Sequence, residues 1–159
     1  MKITILCVGK VKEKYWNGAI DEYMKRLGRY CKPEIIQVPD EKTPDNAPPA
    51  VEEQIRITEG ERILAKWDES AFTAALAIDG EMKSSEGLAE LIEKKTVSGV
   101  SHIQFVIGGS LGLSEAVLKK ADYHLSFSKM TFPHQLMRVV LLEQIYRSFK
   151  IISHEPYHK

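Results

Sequence analysis

Nowhere in this chain of 159 residues do apolar side chains run to the roughly 20 that a membrane-spanning helix needs. The opening MKITILCVGK reaches Gly9 and Lys10 too soon for a secretion signal, and reads instead as a strand. Cysteine is scarce. Cys7 and Cys31 stand far apart and form no C-x-x-C pair, so both read as reduced thiols of a cytoplasmic protein. Net charge is missing as well: 22 Lys and Arg balance 22 Asp and Glu, which argues against a protein that holds nucleic acid by bulk electrostatics. Internal repeats and low-complexity segments are absent. His154 and His158 have metal-like spacing, but Pro156 denies them a shared helix and no thiol or carboxylate cluster completes a set, so no metal is expected.

What is present is enough apolar material, 43% of residues, for one full core. Residues 1–159 therefore read as a single domain. Short apolar runs predict strands at 2–8, 34–38, 72–78, 103–107 and 123–126, the third ended by the turn Asp79-Gly80. Between them, Trp16, Ile20, Tyr23, Met24 and Leu27 recur at helical spacing, and so do Ile55, Ile63 and Leu64 and then Leu88, Leu91 and Ile92. Ser84 or Ser85 and Ser114 are candidate helix caps. The proline-rich stretch 39–50 reads as a loop. Strands alternating with helices give an α/β fold, with a mainly parallel sheet covered on both faces. A last helix, opening at Pro133, is apolar all round its wheel from Leu136 to Phe149. Burial on every side suggests a symmetric dimer, with the sheet on one side and the partner on the other.

The charge that cancels in total is unevenly spread. Residues 10–32 hold seven basic and three acidic side chains, 34–69 four basic and ten acidic, and 129–159 five basic and two acidic. If the two ends meet in space, a local basic face survives a neutral total.

The chemistry-bearing residues cluster in the last third. Gly108-Gly109-Ser110-Leu111-Gly112 satisfies the G-x-S-x-G pattern of a nucleophile elbow, with Asp122 and histidines following in hydrolase order. That elbow needs its helix immediately after the serine, and here the cap waits until Ser114. A Ser110 hydrolase is accordingly a minor alternative. A dinucleotide fingerprint would belong after the first strand, where only Gly9 stands. The glycines do mark a strand end where backbone comes close to something. The tail bearing His154, Tyr157 and His158 would fray by default.

FVIGGSLGLS, the long run LSFSKMTFPHQLMRVVLLEQIYRSFKI and the terminal PYHK, together with KITILCVGK and LAIDG, resemble the RlmH family of SPOUT-class methyltransferases acting on 23S ribosomal RNA. The resemblance covers the whole chain. It implies a C-terminal trefoil knot, a homodimer, and S-adenosylmethionine bound at the knot. It further implies transfer of a methyl group to N3 of a pseudouridine in the large-subunit RNA, on the assembled subunit or 70S ribosome. Carried over by position, the cofactor cradle is Leu76, Gly108 and the loop Phe127, Ser128, Lys129, Met130, Thr131 and Phe132. His134, Arg138, Tyr157 and His158 are the candidates for catalysis, Arg138 as an anion stabiliser and His158 as an RNA contact or base, with the tail of one subunit completing the site of the other. A ribosome-associated factor with this fold and no chemistry is the main alternative.

Overall fold

The computed structural model describes all residues, Met1–Lys159. Five strands and five helices alternate: β1 (Lys2–Val8), α1 (Lys14–Leu27), β2 (Lys32–Val38), α2 (Pro49–Ala65), β3 (Phe72–Met82), α3 (Ser85–Val97), β4 (His102–Ile107), α4 (Glu115–Lys120), β5 (Tyr123–Ser126) and α5 (His134–Ile152). The strands form one sheet in the order β2-β1-β4-β3-β5, and every pairing is parallel. All carboxyl ends therefore lie along one edge.

Alternation along the strands supplies both faces. Ile3, Ile5 and Cys7 of β1, with Ile103, Phe105 and Ile107 of β4, meet α1, α3 and α5 in the larger core. Leu6, Val8 and Val106 face the other way, onto Ile63 of α2 and Val117 of α4. Burying each such aliphatic side chain contributes about 1.5–3 kcal/mol. A sheet that is apolar on both faces is what a parallel sheet requires.

The caps are as expected at Ser84, whose hydroxyl accepts the Gly87 N–H at 3.0 Å, and at Ser114, which accepts that of Val117. The end of β3 is different. Asp79-Gly80 is not its terminus. The strand slips register after Leu76 and pairs with β5 again at Glu81 and Met82. A β-carbon at Gly80 would lie 2.8 Å from the His124 backbone, so this glycine permits close strand approach instead of a reversal. Pro133 stands just before α5, in extended conformation, and not within its first turn.

The last helix is only partly enclosed. Leu141, Leu142 and Ile145 are wholly buried, whereas Leu136, Met137, Val139 and Val140 nearer its start are half-buried. Chain ends do meet: α5 packs on α1, with Tyr146 against Tyr23 and Tyr30. No helix is long and apolar enough to cross a membrane. Both cysteines are free thiols, and burial pushes each up to about 11.

Candidate methyl-donor site

A cavity of about 670 Å³ opens at the carboxyl edge of the sheet, between the ends of β3, β4 and β5 and the start of α5. Its size falls in the range of small-molecule sites, roughly 300–1,000 Å³. Leu76, Gly108, Phe127, Ser128, Met130, Thr131 and Phe132 all line it. Three segments far apart in sequence are thus brought to one place because parallel strands end together.

Glycine makes the floor. A β-carbon at Gly108 would sit 2.7 Å from the carbonyl carbon of Gly112, a contact no side chain tolerates. Gly112 itself has φ of +84°, and its N–H donates to the Gly109 carbonyl at 3.1 Å. The loop 108–112 therefore folds back on itself and presents backbone to the cavity. Beside it lies Glu59, buried on α2, whose carboxylate accepts the Glu41 N–H at 3.0 Å and would be 3.0 Å from a β-carbon on Gly109. Burial holds its pKa above the usual carboxylate range. Glu59 offers no sequence signal, since a glutamate on an amphipathic helix reads as solvent-facing. Ala77, Ile78 and Met137 also line the cavity without having been singled out.

Lys129 does not line the cavity. The Ser128 hydroxyl accepts the Met130 N–H at 2.9 Å, and this tight turn throws Lys129 outward.

The four catalytic candidates are dispersed within one protomer. His134 lines the cavity. Its pKa is held below the ordinary 6.5 by burial and then by the Arg138 charge, with Asp40 opposing, so the imidazole is neutral at pH 7. Arg138 is wholly buried and does not reach the cavity. One terminal nitrogen donates to the Val8 and Gly9 carbonyls at 2.7 and 2.8 Å, while Nε and Nη1 have no partner. Within one protomer the side chain ties α5 to the end of β1.

Tyr157 and His158 lie further along α5, against its flank. The Tyr157 hydroxyl donates to Glu143 at 3.1 Å, and burial followed by that hydrogen bond pushes its pKa up to about 12. His158 sits 2.8 Å from Glu86 and 3.2 Å from Arg147. The tail, which would fray by default, is clasped, with Glu155 held by Lys150 and Tyr30.

A Ser110 triad is not assembled. Asp122 accepts the Thr73 N–H at 2.8 Å, and His124 is engaged 2.6 Å from the Leu118 carbonyl. No group of three or more His, Cys, Asp or Glu is placed to hold a metal ion.

Among known proteins, a family model described as "Predicted SPOUT methyltransferase" matches residues 1–158. A Bifidobacterium adolescentis protein named Ribosomal RNA large subunit methyltransferase H is 62% identical over 159 residues, the full length of both chains. A protein of the same name from Clostridium novyi is also 62% identical over both full lengths. Two solved structures share the fold. One is a probable methyltransferase from Bordetella pertussis Tohama I, with TM-score 0.59 and 12% identity over 92% of this chain and 95% of that one. The other is a probable methylase family protein from Haemophilus influenzae Rd KW20, with TM-score 0.56 and 15% identity over 99% of this chain and 70% of that one. The end-to-end match in sequence, on a sheet whose glycine-floored cavity suits a small donor, places this chain in the SPOUT methyltransferase family.

Proposed function

We propose that the protein transfers a methyl group from S-adenosylmethionine to ribosomal RNA, at N3 of a pseudouridine in the large subunit, acting in the cytoplasm as a homodimer. The observation that carries this reading is the glycine-floored cavity at the carboxyl edge, lined by backbone, apolar side chains and the start of α5. Its fit to the donor is physical. Leu76, Phe127 and Met130 offer apolar surface for a purine ring, and the strand-end peptide groups of 107–109 and 126–128 can read its edge. The first turn of α5 has no side-chain cap and no acidic residue, so its free N–H groups suit a carboxylate.

S-adenosylmethionine supplies a methyl group already activated on a sulfonium. The protein has then to align the acceptor, which lowers the entropic cost, and to take the imide proton. His134, neutral and at the cavity wall, is the proton acceptor in this reading. Arg138 acts on it through position and field from beneath Gly9. Tyr157 and His158, remote from their own cavity, would serve the partner's. Half-buried Leu136 and Val140, with exposed Ile78 and Phe132, supply apolar surface for that partner. A knotted path, with the segment after β5 threaded beneath the loop 108–113, belongs to the same proposal.

Calorimetric titration with S-adenosylmethionine and S-adenosylhomocysteine, followed by transfer of labelled methyl to ribosomal particles and to free 23S RNA, tests the reading. Saturable binding of both ligands and faster transfer to particles are expected. Donor binding without transfer to any ribosomal substrate would leave a binding factor without chemistry.

A further inference from the structure

The basic stretch 10–32 has no part in the cavity, and its cations differ from those elsewhere. Most others are held by carboxylates, as Lys119 is by Glu115, Arg147 by Glu143 and Lys150 by Glu155. Within 10–32 only Arg26 is paired, to Glu22 at 2.9 Å. Lys10, Lys12 and Lys14 are exposed and have no carboxylate within 4.0 Å.

Their setting strengthens the charge. Glu13, which lies between two of them, is half-buried, and its Oε2 is enclosed without a partner, so the intervening acid is turned inward. Another acid, Asp40, lies beside Gly9. Next to Lys14 stands Tyr15, 68% exposed, the most open aromatic ring of the molecule. It meets Trp16 edge-on at 5.1 Å, and Trp16 is anchored on the larger core. One such contact covers at most one side of the Tyr15 ring, and at this exposure a face stays free. The cluster follows directly on Gly9, where a β-carbon would be 3.6 Å from Nε2 of His134, a residue that lines the cavity.

Unpaired lysines around a fixed, open aromatic face match RNA, whose phosphates attract the cations and whose unstacked bases stack on the ring. An acidic protein partner would need the charge but not the bare ring. We propose that Lys10, Lys12, Lys14 and Tyr15 form the docking surface that leads ribosomal RNA to the cavity, the lysines neutralising successive phosphates and Tyr15 stacking one base. This rests on the reading of the protein as an RNA methyltransferase and adds the surface that its neutral total charge conceals.

The test uses the full-length protein and purified large ribosomal subunits. Binding is measured against salt concentration, and methyl transfer against subunit concentration, for wild type, K10Q/K12Q/K14Q, the arginine counterpart K10R/K12R/K14R, and Tyr15→Ala. Each residue is exposed, so circular dichroism and donor titration should match wild type. The glutamine triple variant is expected to raise KM for subunits about tenfold or more, with kcat retained, and to flatten the log-log salt slope by about two to three. The arginine variant should restore both, and Tyr15→Ala should raise KM without changing the slope. An unmoved KM and slope in the triple variant, with wild-type transfer intact, would overturn the surface and leave the activity standing. Lysine-dependent, salt-sensitive binding by a wild type that transfers no methyl group would overturn the activity and leave the surface standing.

Discussion

The two ends of the sheet are built on opposite plans. At the carboxyl edge, backbone and apolar side chains surround about 670 Å³, and few polar side chains close on one another. At the amino edge a smaller cleft of about 270 Å³ is lined mostly by polar residues. There His102 lies 2.8 Å from the Thr4 hydroxyl and 3.3 Å from Asp68, Gln104 donates to Thr73, and Lys2 holds Glu34 at 2.9 Å. Polar groups that satisfy one another leave nothing for a ligand to complete; they seal the fold. An open end with glycine and free peptide groups has its partners still to come.

This contrast can be broken most sharply at Gly108. Gly108→Val would drive side-chain atoms into the Gly112 backbone. Donor affinity is expected to fall by roughly a hundredfold or more, about 3 kcal/mol, by calorimetry. His134→Ala should lower the transfer rate by about 10²–10⁴ at constant pH while changing donor affinity far less. In wild type the same group predicts a rate that falls with acid, with its inflection below 6.5.

At the other end the effects should appear in stability alone. Thr4→Val strips His102 of a buried partner and should cost about 1–3 kcal/mol in denaturant unfolding, with donor affinity unchanged. The smallest effect concerns acid. Burial depresses the pKa of His102, against the opposing pull of Asp68. Its contribution to stability is therefore whole above 6.5 and is lost as pH falls below that value toward the folded-state pKa. Melting curves of His102→Gln across pH 5–7 should slope less steeply than those of wild type.

Much of the open end could be read beforehand because its parts are local. Glycine pairs, a serine-rich loop and a proline before a helix carry their geometry within a few residues. The closed end could not, since Thr4 and His102 meet only through the pairing of β1 with β4, and Asp68 joins them from the loop before β3. Gly80 looked like a turn because a glycine needed for close approach and one needed for reversal are identical in sequence. The depth of Arg138 was not legible, because nothing in an all-round apolar helix says which side chain lies deepest. Even so, its place on that helix was a signal: an arginine amid Met137, Val139 and Leu141 has no solvent side to turn to.

The strand order carries a consequence for synthesis. β4 inserts between β1 and β3, and the cavity draws its walls from residues as far apart as Leu76 and Met137. A nascent chain halted before Ser126 would hold four of its five helices and most of its sheet but no donor site. Pairings so distant in the chain close late. The donor can therefore be captured only by a molecule whose last helix is already in place, and its binding then draws the population toward that finished form.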